Sequence, residues 1–255
     1  MATSKYFTVT VKPTIAASVQ HTGAFSGSDL LFDWTAFEIP KGSAKLVNAT
    51  ILVRPKGDAG PTCNDNAVGL VFSSTNTVSL GSAHGTIDNR PSNDFLGTID
   101  FHASNYTTTT FNSTAVGTLS MGAADTELAQ PPLVLTPNVD VLSTTTPGFD
   151  TVYLAAYAAD GNMDFSSIVR INDGDIDTSS PGTTLVTDGS SMDIQEHYIA
   201  GDVLHAHDDA VIGTVASVTN STTLELTEAI STGVLADDDF VYNIHPIRII
   251  LQFER

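Results

Sequence analysis

One cysteine, Cys63, stands in a chain of 255 residues, so no intrachain disulfide and no thiolate zinc cluster can form. It sits in PTCNDN, a turn-like stretch without a base beside it, and reads as incidental rather than nucleophilic. Cations are also scarce: ten Lys and Arg face 29 Asp and Glu, a formal charge of -19. Such a field repels phosphate backbones and anionic headgroups, so neither nucleic acid nor a membrane is expected as a partner. No apolar run approaches the roughly 20 residues of a bilayer-spanning helix. The N-terminal MATSKYFTVTVK lacks a basic segment followed by an apolar one, and the expectation is a soluble chain made without a cleaved secretion signal. Four N-x-[ST] sequons, at Asn48, Asn105, Asn112 and Asn220, then read as by-products of Thr- and Ser-rich β sequence. Catalytic signatures are missing too: there is no G-x-S-x-G elbow, no H-E-x-x-H pair and no glycine-rich phosphate loop. The carboxylates cluster in turns instead of at strand ends facing a cleft. No enzyme and no cofactor are expected, although the two carboxylates of a glycosidase leave no motif to search for.

What is present is β sequence. Apolar residues make up 41% of the chain, enough for a core, and helical periodicity is nearly absent. Short segments of β-branched and aromatic residues alternate with polar ones between Gly, Pro, Asn and Asp. Strands are predicted over residues 6–12 (YFTVTVK), 30–37 (LLFDWTAF), 44–54 (AKLVNATILVR), 67–73 (AVGLVFS), 96–102 (LGTIDFH), 133–135 and 151–158 (TVYLAAYA), with an exposed strand pair within 103–123. The long polar connection between 73 and 96 implies that it covers something or makes contacts. This set predicts an N-terminal, jelly-roll-like β-sandwich over residues 1–170. Residues 171–196 read as an acidic Gly-, Asp- and Ser-rich connector, and 197–244 as a small SH3-like β-barrel with strands beginning near 199, 211, 222 and 240. The last eleven residues, HPIRIILQFER, alternate Ile247, Ile249, Leu251 and Phe253 with Arg248, Ile250, Gln252 and Glu254. That strand is too long and apolar for a tail, so 245–255 is assigned back to the sandwich and the barrel becomes an insertion before its final strand.

The candidate sites are polar clusters. His205 and His207 lie two apart in VLHAHDDAV, and on one face of a strand they would suit a divalent metal, with Asp208 or His245 completing the set. The same residues also describe the exposed tip of a short hairpin, and this reading is preferred. Asp173, Asp175 and Asp177 in NDGDID, like Asp160 and Asp164 in DGNMD, supply oxygen ligands around turns as calcium sites require. Neither stretch carries the bidentate Glu of an EF-hand, which excludes that motif, so the expectation is no metal with surface calcium left open. Trp34, with Phe32 and Phe37, either lines a sugar platform or, by alternation, joins the core. Between Arg170 and Arg248 there is no Lys or Arg, while acidic residues recur from Asp173 to Asp239.

Two stretches carry a family resemblance. LLFDWTAFEIPKGSAKLVNATILVRPKG together with TVYLAAYAADGNMDFSS resembles virion structural proteins of tailed phages of marine bacteria, especially cyanophages. AGDVLHAHDDAVIGTVASVTNSTTLELTEAI, continued by ADDDFVYNIHPIRIILQFE, is similar to a recurrent phage module with the skeleton GD-x-[VL]…IGTV-x-SV…T-x-[LI]-x-LT…GD-x-[VI]-Y. Residues 236–239 depart from it, an acidic run replacing the usual Gly-Asp. The resemblance covers about half of the chain and implies a non-enzymatic capsid decoration or cement protein, or alternatively a carbohydrate-binding adhesin or tail module. It further implies the major capsid protein as partner, a trimeric homo-oligomer, a place on the capsid surface of the virion, and assembly in the host bacterial cytoplasm.

Overall fold

The alternation of apolar and polar residues becomes strand after strand. The computed structural model describes residues 5–56, 62–88, 93–107, 114–121, 133–138, 146–166, 182–188, 194–236 and 238–255. The chain is all-β apart from short helical turns. One sheet is built from β1 (Tyr6–Val11), β3 (Ala44–Val53), β6 (Tyr106–Thr107), β7 (Ala115–Ser120), β8 (Leu133–Leu135) and β15 (Ile247–Glu254). It runs β1-β15-β3-β7-β6, with β8 paired to the other end of β3. A second sheet, β2-β9-β4-β5, uses β2 (Leu30–Pro40), β4 (Val68–Ser73), β5 (Phe95–Phe101) and β9 (Phe149–Ala158). Every ladder is antiparallel, and the two sheets share one core in a sandwich-like pair.

The final strand lies inside this structure, hydrogen-bonded to β1 on one edge and β3 on the other. Its odd positions, Ile247, Ile249, Leu251 and Phe253, are fully buried. Leu251 sits between Val9 and Ala49, and Ile249 between Val11 and Ile51.

β4 shows why AVGLVFS is apolar on both faces. Val68, Leu70 and Phe72 enter the shared core, while Val71 points the other way into a smaller cluster with Leu30, Leu80, Ile87 and Ala155. Leu80 and Ile87 come from the long connection after β4, which therefore covers the outer face of the four-stranded sheet. Asp33 pins it by accepting the Leu80 N–H at 3.1 Å, and the Trp34 indole N–H donates to the Val78 carbonyl at 2.9 Å. Gly69 makes room here: its cross-strand partner Tyr157 lays its ring over it, and a Cβ would force that ring to shift.

A third sheet holds β10 (Thr184–Val186), β11 (Val203–Ala206), β12 (Val211–Val218), β13 (Thr223–Leu226) and β14 (Val241–Asn243), in the order β10-β13-β12-β11-β14. Leu185, Ile194, Tyr198, Leu204, Val215, Leu224 and Val241 form its own core. Among the described residues no ladder joins β10 to β14. Two differences from the sequence reading stand out. Residues 184–186 and the short helical turn Ile194–Glu196 fall within the stretch predicted as a connector, yet Leu185 and Ile194 are fully buried. Single apolar residues among Gly, Asp and Ser carry no period for a sequence argument to detect. The strand predicted to begin near 199 begins at Val203 instead, because Asp202 folds back to accept the Ile199 N–H at 3.0 Å and makes a turn. A four-residue helix, α1 (Ala17–Gln20), was also not predicted.

The two faces of β15 give a direct test. Leu251→Ala should cost about 2–5 kcal/mol in denaturant unfolding, the range for emptying a packed core site. Ile250→Ala, on the half-exposed face, should cost well under that. Equal losses would contradict the facing assigned to this strand.

Candidate interaction surface

Residues directly opposite each other in a sheet share a face, so the register writes out the outer surface of the six-stranded sheet row by row. Tyr6, Glu254, Lys45 and Val134 form the first row; Thr8, Gln252, Asn48 and Ser120 the second; Thr10, Ile250, Thr50 and Thr118 the third; and Arg248, Leu52 and Val116 the fourth. Unlike the outer face of the four-stranded sheet, no described element covers this one. Tyr6 and Val134 are 58% and 51% exposed. The middle of the face is hydroxyl and amide, with Asn48 Nδ2 donating to Ser120 Oγ at 3.2 Å.

Its charge is opposite in kind to that of the chain. The six strands of this sheet contain one carboxylate, Glu254, in a protein with 29 acidic residues. Glu254 is held between Lys5, in direct contact, and Lys45 at 3.6 Å. The Lys5 hydrogen bond draws the Glu254 carboxyl below its ordinary value, and the same bond raises the Lys5 ammonium. Arg248, in the fourth row, lies beside Asp202 where the face meets the joint with the third sheet. The third sheet sits in the half of the chain that has no Lys or Arg between Arg170 and Arg248.

The His-Asp hairpin does something else. β11 ends at Ala206 and His207 lies in the turn, so the cluster sits at the tip of the β11–β12 hairpin and the two histidines do not share a strand face. His205 Nδ1 is 2.9 Å from the Asp209 carbonyl, and the His207 ring packs 5.3 Å from that of His21. His21 Nδ1 in turn lies 2.6 Å from the Tyr242 hydroxyl, and His245 Nδ1 lies 3.1 Å from the Pro13 carbonyl. Asp208 accepts the Ala210 N–H at 3.0 Å. Asp209 reaches across to α1: Oδ1 accepts the Ser18 N–H at 3.0 Å and Oδ2 the Ser18 hydroxyl at 2.6 Å. Partial burial pulls its carboxyl up, but the Ser18 and Ala17 hydrogen bonds outweigh that and hold it below the ordinary value. The hairpin tip is therefore a latch between the third sheet and residues 17–21.

Beside the latch, Arg54 is buried at the end of β3. Its Nη2 donates to the Phe165 carbonyl at 2.9 Å and to Gln20 Oε1 at 3.2 Å, and burial lowers its pKa. Gln20 continues the chain of contacts, donating to the Ile15 and Asn243 carbonyls at 2.7 and 2.9 Å. Asp202 faces the same joint; burial raises its carboxyl and the Ile199 hydrogen bond partly offsets that. The contacts of this joint span up to 223 residues, from the Gln20 side chain to the Asn243 carbonyl, and no local pattern announces them.

The remaining candidates are placed as follows. Asp173, Asp175 and Asp177 lie outside the described residues. Asp160 accepts the Ala67 N–H at 2.5 Å and ties its turn to the start of β4, and Asp164 accepts the Ser166 N–H and hydroxyl at 2.8 and 2.7 Å and braces its own loop. Among the described residues no group of three His, Cys, Asp or Glu side chains is placed to hold a metal ion. Phe32 and Phe37 are buried in the shared core, whereas Trp34 is half-buried with Phe95 at 6.0 Å. Cys63 is half-buried, and burial raises its thiol. No helix among the described residues is long and apolar enough to cross a membrane.

Asp209→Ala should lower stability by about 1 kcal/mol at neutral pH, the usual worth of a carboxylate at a helix start. A depressed carboxyl contributes fully above its ordinary value of 3.8 and stops contributing as pH falls through the lower folded-state value. The gap between variant and parent in denaturant unfolding should therefore close in acid; a gap independent of pH would rule out the latch.

No family model matches this chain, and no curated protein does. Among solved structures, the crystal structure of the STIV MCP aligns over 98% of this chain and 97% of its own at 9% identity, with a TM-score of 0.19, a likeness that carries no argument about fold or function.

Proposed function

We propose that this chain is a non-enzymatic virion structural protein of a tailed phage, a decoration or cement protein that docks its six-stranded sheet on the head surface. The observation that carries this reading is the separation of charge: a face that no described element covers, hydroxyl-rich and mildly basic, on an otherwise strongly acidic protein. Desolvating carboxylates at an interface is costly, and this face has one, already paired. The acidic connections of the third sheet, among them Asp208, Asp209, Glu228, Asp238 and Asp239, then point to solvent, where their charge gives solubility. The likeness of the strand motifs to phage virion proteins supports the same reading, in which the sandwich is jelly-roll-like over residues 1–170 and 245–255 and the third sheet is an SH3-like barrel inserted before the last strand. The partner is the major capsid protein, the assembly is trimeric, and the mechanism is added buried interface across a shell under pressure.

A second reading, a glycan-binding adhesin, is favoured by one feature. Val71, Leu80, Ile87, Phe95 and Tyr157 line a cavity of about 240 Å³ near Trp34. The indole N–H is already committed to Val78 and cannot serve a sugar. Saturable glycan binding that is lost in Trp34→Ala would favour this reading over the first.

Mass spectrometry of purified particles should find the protein in fixed proportion to the shell subunit. Thr118→Glu with Gln252→Glu, both exposed on this face, should leave stability within about 0.5 kcal/mol and abolish attachment to particles lacking the protein. Absence from purified particles, or undiminished attachment of the double variant, would overturn the proposal.

A further inference from the structure

Among the described residues the sandwich-like pair is open along one side. β1 ends one sheet and β2 ends the other. Between them lies a cleft of about 600 Å³, lined by residues 7–12, residues 35–38, Pro40 and Phe149. Phe7 and Val9 face into it only half-buried, packed against the core through the Phe7–Phe253 stack at 5.1 Å.

The hydrogen-bond parity of β1 follows from one contact. Arg255 N–H donates to the Lys5 carbonyl at 2.9 Å, which makes Lys5 and Arg255 a hydrogen-bonded pair. In an antiparallel ladder such pairs alternate, so Phe7, Val9 and Val11 bond to β15. The N–H and C=O groups of Thr8 and Thr10 point the other way, along the open edge. β1 also lacks the usual edge guards: it has no proline, and its register with β15 runs without a bulge. β2, across the cleft, has two register shifts and ends in Pro40.

Charge identifies the occupant. Lys5, Lys41, Lys45 and Arg255, four of the ten cations, gather where β1 begins and β2 ends; Arg255 Nη2 reaches the Lys41 carbonyl at 3.3 Å. The carboxylates at that end are Glu254, paired to two lysines; Asp150, which accepts the Gly42 N–H at 3.2 Å; and Glu38 on the β2 wall. A second copy in antiparallel pairing would set Lys12 beside Lys5 and bring together two chains of charge -19. A strand antiparallel to β1 leaves its C-terminal end at the basic cluster.

We propose that this cleft accepts an extended strand of a different protein, antiparallel to β1, with apolar residues at alternate positions and acidic residues at its C-terminal end. The strand would extend the six-stranded sheet by one, backbone bonds to Thr8 and Thr10 giving affinity and the basic cluster giving direction. The inference goes beyond the proposed virion role and does not depend on it.

A short peptide of alternating Val and Thr ending in Asp-Glu-Asp, and the same peptide ending in Lys, are the probes. The acidic peptide should bind saturably and slow amide exchange at Thr8 and Thr10 in the full chain, read by NMR. Thr10→Pro removes one outward donor and leaves the β15 ladder intact, and should weaken binding about tenfold. Thr10→Val keeps the donor and should bind as the parent does, while the Lys-ended peptide should bind more weakly. Unchanged exchange at saturating peptide, or equal affinity of the two peptides, would overturn the proposal. So would a concentration-dependent dimer of the unmodified chain that Thr10→Pro abolishes, since the occupant would then be a second copy. The exchange measurement on the unmodified protein stands even if Thr10→Pro fails to fold.

Discussion

The two-sided pairing of β15 is the constraint on which the rest depends. Residues 247–254 hold β1 on one edge and β3 on the other, so the first strand of the chain has no sheet to join until the last one is in place. Phe253, Leu251, Ile249 and Ile247 supply a continuous stripe to the shared core. Because β14 passes directly into β15, the third sheet is tethered at the same point. Ile15 N–H donates to the Ile244 carbonyl at 2.9 Å, Arg54 N–H to the Pro246 carbonyl at 2.9 Å, and Gln20 binds Asn243. Gln20, itself held by Arg54, and the Asp209 latch thus bind that sheet to segments from the start of the chain. Closure over such sequence distances is slow to form and cooperative once formed.

The same alternation that builds the core builds the uncovered face. Residues between the buried positions of β1, β3, β7 and β15 are mostly Thr, Asn, Gln, Ser, Lys and Arg, with Tyr6, Val47, Leu52, Val116, Ile250 and the paired Glu254 among them, and the acidic residues of the chain go mainly to turns and connections, with four in the strands of the four-stranded sheet and one, Glu225, in those of the third. The four-stranded sheet uses its own connection as a cover, with Leu80 and Ile87 buried against it. One outer face is thus sealed from within, and the other is left carboxylate-poor. A chain of charge -19 has little need of such a surface for solubility, so the proposed docking role gives this asymmetry a physical purpose.

The strands were legible because most carry an unbroken period: β8 and β12 fall where sequence places them, and β1, β2, β3, β4, β5, β9, β13 and β15 differ only at their ends. β10 was not legible, since three residues show no period, and neither was α1, whose N-terminus is held by a side chain 191 residues away. The His-Asp cluster reads from sequence as a hairpin tip, and what the sequence does not show is the reach of Asp209 to Ser18, which makes that tip a joint. Arg54 drew no attention at all, because a cation at the end of a strand is ordinary until the fold buries it. The surface signal was in the sequence, in strands free of carboxylates, but it became a face only when the register aligned the rows.

A density map of intact particles resolving this chain is the most direct measurement. The account predicts the outer face of the six-stranded sheet, with Lys45, Gln252 and Arg248, seated on the shell, and the third sheet turned to solvent. A map with the third sheet on the shell and the six-stranded sheet facing outward would contradict it.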